Sequence, residues 1–238
     1  MKDAARRVKR LMQIAVDLSV LVFRRDLRPV RNESDADMSI RELALGWIRS
    51  TIAQPDSRLG RAGAVCPCTP PMLDQEALTA AVYSSSVQLS ADVIRRVVLK
   101  EGLRHHRAID RSSAHWDLRT HLVIFAGGRP EHSSWFEQAW EQCLEALNER
   151  GIMVAVAYPG CRRPAWSSAD VFPFDAPASL FVIRPMTLRD ILFIGNRGGV
   201  LRYRGLFGAR FRTGSISSES HLARVYQEKL NQHCLPSV

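Results

Sequence analysis

The residues best suited to chemistry fall in one run, Leu59-Gly60-Arg61-Ala62-Gly63-Ala64-Val65-Cys66-Pro67. A thiolate at Cys66 could ligate ferric haem, and the adjacent Pro67 would fix the backbone so that the sulfur points one way. The plainer reading is a small buried hydrophobe in a tight loop, since free cysteine is among the most buried residue types. Cys66 and Cys68 could instead form a redox pair, but a single intervening residue strains a disulfide, and two thiols do not make a zinc site. Arg61, Arg184, Arg202, Arg204 and Arg210 flank glycine or aromatic positions. That composition suits holding propionates, carboxylates or phosphates beside a flat apolar ligand, or equally a solvated basic edge with stems over apolar surface. Gly60 and Gly63 read as turn residues, because the lysine and helix start of a phosphate-binding loop do not follow them.

The histidines at 105, 106, 115, 121 and 132 lack metal-ligand spacing and read mostly as surface residues, with His115 and His121 the less ordinary members. No Ser-His-Asp order and no carboxylate pair stands out from chance. Lysine occurs only at 2, 9, 100 and 229, which leaves 29 of the 33 basic residues as arginine and makes the +9 charge an arginine excess. Its even spread argues against a dedicated nucleic-acid surface. Five cysteines in 238 residues form no even disulfide set, so a reducing cytoplasm is expected. Basic residues precede an apolar run from Leu11 to Phe23, but Asp17 interrupts it and no small-residue cleavage site follows. Thirteen residues are too few to cross a bilayer, which needs about 20.

The elements that must position these residues follow from periodicity. Leu11, Ile14, Ala15, Leu18, Leu21 and Val22 predict a helix over residues 3 to 25, with an apolar stripe for the protein's own core, a second subunit or a membrane surface. Residues 28 to 37 read as a linker. Ser39 and Glu42 predict a capping box, then a helix with Ile40, Leu43, Ala44, Trp47, Ile48 and Thr51 on one face, ended by Pro55. Two glycines and three prolines argue against regular structure from 56 to 73. A strand is expected over Ala77 to Tyr83 and a helix after Ser90. The unbroken apolar run His121 to Ala126 predicts a central strand covered on both faces. A helix capped by Ser134 and Glu137, a strand from Ile152 to Tyr158, a strand from Leu180 to Arg184, a short helix marked by Thr187 and Asp190, and a last helix near 218 to 233 complete the pattern. The result is an α/β fold, a single mixed sheet flanked by helices. Residues 1 to 37 form a basic helical extension and linker, and 38 to 238 the α/β domain.

Several of these segments carry a resemblance. Trp47 to Pro55, Leu59 to Pro67, Gly151-Ile152-Met153, Phe181 to Met186 and Asp190-Ile191-Leu192-Phe193 resemble the bacterial domain of unknown function numbered 6875, over about residues 40 to 212. In that family an aromatic residue usually follows Cys-Pro, where this chain has Cys68. A histidine usually stands near the end of the strand after Gly-Ile-Met, where this chain has Tyr158. The differences imply lost or altered chemistry if that histidine is functional. The layout is also similar to haem-dependent N-oxygenases of the YqcI and YcgG type. That resemblance implies a haem-binding, oxygen-using enzyme of specialised metabolism acting on a small molecule. Cys66 would then be the iron ligand, Arg61 and Arg184 would hold the cofactor's anionic groups, and Tyr158 and Arg210 would contact substrate. The alternative is a non-catalytic binding or accessory protein that docks, or dimerises, through the basic helix at 3 to 25.

Overall fold

The computed structural model describes residues 29, 34–84, 88–217, 219–233 and 235. The helix expected over 3 to 25 lies outside them. Four strands form one mixed sheet: β1 (Leu78–Tyr83), β2 (Thr120–Phe125), β3 (Ile152–Ala157) and β4 (Leu180–Pro185), in the order β1-β2-β4-β3. β1 and β2 are parallel, and β4 runs antiparallel to both its neighbours. The expected α/β architecture is therefore present. β2 is buried along its whole length, as its unbroken apolar run requires.

One face of the sheet is covered by α3 (Ala91–Ala108) and α4 (Ser133–Asn148), packed on Tyr83, Val123, Phe125, Val154, Val156 and Phe181. The opposite face is covered in two parts. Over Val82, Leu122, Ile124 and Leu180 lie α1 (Asp35–Trp47), the π-helical turn Ile48–Ile52 and the short α2 (Thr69–Asp74). Over Met153 and Met186 lie the 3-10 turn Leu188–Leu192, α5 (Arg197–Arg212) and α6 (His221–Gln232). Among the described residues no helix is long and apolar enough to cross a membrane.

Three local expectations need correction. α1 starts at Asp35, where Ser34 and Asp37 form the capping box, so the expected linker gives its last residues to the helix. Ser39 lies inside α1, and its hydroxyl donates to the Asp35 carbonyl at 2.7 Å. Both serines have an acid three residues on, and the earlier pair closes the box; Leu43 and Thr51, expected inward, are exposed. Similarly, α4 has no side-chain cap, because a 3-10 turn at Pro130–His132 leads into it and Glu137 is engaged elsewhere. The 56–73 segment, expected to be irregular, holds all but the last residue of α2, which begins at Thr69 and has Pro70 and Pro71 in its first turn; proline suits that turn, whose amide hydrogens are unbonded anyway. By contrast, Ser90 caps α3 and Thr187 with Asp190 caps the 3-10 turn, both as expected.

A buried polar network ties α3 to β1 and β2. The Glu101 carboxylate accepts from the Tyr83 hydroxyl at 2.7 Å and pairs with Arg104 at 2.6 Å, while His121 Nε2 lies 3.3 Å away. On its other side His121 Nδ1 meets the Thr79 hydroxyl at 2.8 Å, and His105 stacks on its ring. Burial alone would push the Glu101 pKa up. Contacts with His121 and Tyr83 and the charge of Arg104 outweigh it and hold the carboxylate at about 2. A depressed carboxylate pKa stabilises the fold above its unfolded value of about 4.3, and that contribution fades as pH falls towards 2. Glu101→Ala should cost about 3 kcal/mol in urea denaturation at pH 7, because it strands Tyr83 and His121 without their acceptor. Glu101→Gln should flatten the loss of stability between pH 4.3 and 2; an unchanged acid limb would show that the network contributes nothing to it.

Candidate functional site

The Cys66 loop is built from backbone constraints. After the π-helical turn the chain reverses through a 3-10 turn at Ser57–Leu59, with Gly60 in the left-handed region at φ +66° and Gly63 at +89°. A bridge between Pro55 and Ala64 closes the reversal, and Val65 and Cys66 then donate their amides to the carbonyls of Gln54 and Ile52. Arg61 folds back on this loop, its guanidinium donating to the carbonyls of Val65 (2.8 Å) and Ala62 (3.2 Å). It is thus a brace of the loop, exposed to solvent.

From the sheet, β4 supplies Arg184. Alternation along the strand puts Arg184 on the face of Leu180 and Val182, beneath α1 and the Cys66 loop. Its guanidinium makes a two-pronged bond to Asp190, at 2.7 and 2.6 Å, and donates to the Pro185 carbonyl at 3.0 Å. Asp190 is buried and also accepts from the Thr187 amide and hydroxyl, so the fork cannot swing away without stranding a carboxylate. Asp190 holds Arg184 firmly charged against the effect of burial.

These pieces meet at the sulfurs. Cys66 and Cys68 are both half-buried, and each is the largest influence on the other's proton affinity. The Cys68 thiol is the main influence lowering the Cys66 pKa; burial opposes it, and the Thr69 side chain and the Arg184 charge assist. Cys68 is pushed up, first by Cys66 and then by burial. The two thiols therefore share one coupled titration, with Cys66 the more acidic member. The turn that permits this is closed by the Thr69 amide donating to the Cys66 carbonyl at 3.0 Å. A thiolate with a thiol donor and a guanidinium beside it can act as a nucleophile or as a soft metal ligand. Among the described residues no three His, Cys, Asp or Glu side chains converge as a metal site.

The other sites named from sequence lie apart. Tyr158 follows β3 on the opposite face of the sheet, packed with the α3 and α4 cluster. Its hydroxyl donates to Glu137 at 2.7 Å, and Glu137 also pairs with Arg163. Arg163 lies over the rings of Trp140 (4.0 Å) and Phe174 (5.3 Å), so every member of this group has a partner. Burial, and then Glu137, raise the Tyr158 pKa. Arg210 stands exposed on α5 over Phe207. The structure thus joins Cys66 with Arg184 and separates Tyr158 from them. Sequence reasoning weighed Cys66 and Cys68 as a redox pair and set it below a buried hydrophobe; it missed Thr69 and the use of Asp190 as the Arg184 acceptor. The last was within reach, since an arginine ending a strand and an aspartate capping the next turn are neighbours by construction.

A family model described as Domain of unknown function (DUF6875) matches residues 40–218 of this chain. No curated protein and no solved structure matches it.

The coupled titration gives a direct test. Alkylation of Cys66 by iodoacetamide, followed by peptide mass spectrometry across pH, should show a midpoint well below the value of about 8.5 for a free thiol. Cys68→Ala removes the principal influence and should move that midpoint upward. A midpoint near 8.5 in the unaltered protein would refute the thiolate assignment.

Proposed function

The chain belongs to the family described as Domain of unknown function (DUF6875), and from that premise we propose that it is an enzyme whose working group is the Cys66 thiolate. The observation that carries this reading is the pair of half-buried free thiols, Cys66 and Cys68, in one tight turn under the charge of the Arg184 guanidinium, which Asp190 fixes in place. The chemistry that follows is thiol–disulfide exchange with a small disulfide. The Cys66 thiolate attacks one sulfur of the substrate, forms a mixed disulfide and releases the first thiolate, which takes a proton from Cys68 or solvent. The Cys68 sulfur then attacks Cys66, closing a Cys66–Cys68 disulfide and releasing the second thiolate, which takes its proton from solvent. The protein dithiol is oxidised and the substrate disulfide is reduced to two thiols. A ring closed across one intervening residue is strained, which opposes this closure, so excess substrate disulfide is needed to drive it. Free thiols at Cys66, Cys68, Cys143 and Cys161 suit a reducing cytoplasm.

A second reading keeps the same sulfur. In a haem-dependent oxygenase Cys66 would ligate the iron, and a thiolate held by Thr69, Cys68 and Arg184 suits that role. The proposed carboxylate clamps suit it less well. Arg184 is engaged by Asp190 and Arg61 by its own loop, so propionates would have to compete with bonds already made. Tyr158 would likewise have to leave Glu137 to touch a substrate. The reading as a docking protein rests on residues 3 to 25, outside the described region.

One set of measurements separates these readings. With excess oxidised glutathione the unaltered protein should release two thiols per Cys66–Cys68 pair and lose two hydrogens in mass, whereas Cys68→Ala should stop at the mixed disulfide. Failure of Cys66 to react would remove the exchange reading. Haemin should then be added to the reduced protein: a Soret band that shifts in Cys66→Ala would establish the iron-ligand reading in its place.

A further inference from the structure

A second site is carried by charge at the corner where α3, α4 and α5 meet, remote in the sequence from Cys66. His106 and Arg107 lie in the last turn of α3, and Arg111 follows three residues beyond it. Arg150 comes directly after α4, and Arg202 stands inside α5. Gly151 brings the last two together. Its φ is +75°, and a Cβ there would come within 3.2 Å of the Arg202 Nε and 3.1 Å of Leu206. The missing side chain is what lets the Arg202 guanidinium pack over the backbone beside Arg150.

These cations are short of anions. Arg58, Arg95, Arg96, Arg104, Arg163 and Arg184 each pair with an aspartate or glutamate. Among the described residues none of Arg107, Arg111, Arg150 and Arg202 does so. Arg111 lies over the Trp116 ring at 5.3 Å, and Arg150 donates once, to the Ala146 carbonyl at 2.6 Å. The buried Nε of Arg202 has no acceptor, although a guanidinium cannot shed its proton to avoid the cost. Glu149, beside Arg150, is turned against Gly198 at the start of α5, its Oε1 only 2.5 Å from where a Cβ at 198 would stand, and Asp110, beside Arg111, accepts from the Ser112 amide and hydroxyl. Burial drives the His106 imidazole towards neutrality, and the charges of Arg111, Arg202, Arg150 and Arg107 add to that in this order. Carbonyls at the ends of α3 and α4 offset part of the positive field. They do not use the guanidinium forks.

We propose that this corner binds the phosphoryl groups of a small phosphate-bearing ligand, with Arg107, Arg111, Arg150 and Arg202 as donors and His106 as a neutral hydrogen-bonding partner. Arg150 and Arg202 meeting at Gly151, with Arg107 and Arg111 at the end of the helix packed alongside, can match the several oxygens of a compact dianion, which accept paired N–H donors. The site is independent of the sulfur chemistry proposed above, so either can fail alone.

The test uses the full chain and inorganic pyrophosphate as probe, with calorimetry and thermal unfolding at fixed ionic strength. Pyrophosphate should bind and raise Tm, and binding should weaken as salt rises. The double variant Arg107→Glu/Arg111→Glu changes exposed side chains and should weaken binding tenfold or more without unfolding the protein. Arg202→Ala should weaken it as well. Arg58→Ala, which alters an arginine paired with Asp56 elsewhere, should leave it unchanged. Absence of binding, equal affinity in the double variant, or citrate binding as tightly as pyrophosphate would each overturn the proposal.

Discussion

The bond between Arg184 and Asp190 ties the inner face of the sheet to the turn that follows β4. A guanidinium on the inner face of a sheet is costly unless every direction of its fork is used, and Asp190 takes two N–H groups while the Pro185 carbonyl takes another. Asp190 is itself fixed by the Thr187 amide and hydroxyl, so the pair anchors the turn that sends the chain from the sheet into α5. Arg184 stands where the cluster under α1 gives way to the cluster under α5 and α6, opposite Met153 in the strand register. An apolar residue would join the two clusters. A charge there keeps a polar seam between them, and the field of that charge falls on Cys66.

The same constraint explains the division of labour between two polar groups. The Tyr158, Glu137 and Arg163 group is closed: the phenol is bonded to the carboxylate, the carboxylate to the guanidinium, and two aromatic rings bracket the guanidinium. Such a group fixes the end of β3 against α4 and has little left for a ligand. At Cys66 the hydrogen-bond inventory is uneven, because two thiols and one hydroxyl surround a charge that is already neutralised by Asp190. Cys66 loses its proton the more readily of the two, and an acidic thiol is a property of a working group and not of a strut.

Much of the fold was legible because it depends on local chemistry. β2 announced itself through an unbroken apolar run, α3 through Ser90 and its inward Ile94, Val97 and Val98, and the turn after β4 through Thr187 and Asp190. Helix starts failed where neighbouring groups compete. Ser34 and Ser39 offer alternative caps one turn apart, and Glu137, suited to a capping box with Ser134, is instead drawn away by Tyr158 and Arg163 across the sheet face. Strand order was out of reach for a different reason. β2, α4 and β3 read as a compact strand-helix-strand unit, but β4 inserts between the two strands, and only the match of its two apolar faces to both clusters selects that position.

The site was legible in its parts and hidden in its connections. Cys66 and Arg184 could be named from residue type and neighbourhood; that Arg184 would be held by Asp190 could not be weighed without knowing that a turn brings the aspartate back over the strand end. Cys68, read from sequence as a departure from the usual aromatic residue, becomes the strongest influence on the Cys66 proton. An aromatic side chain at that position would fill space beside the sulfur and offer it no S–H donor.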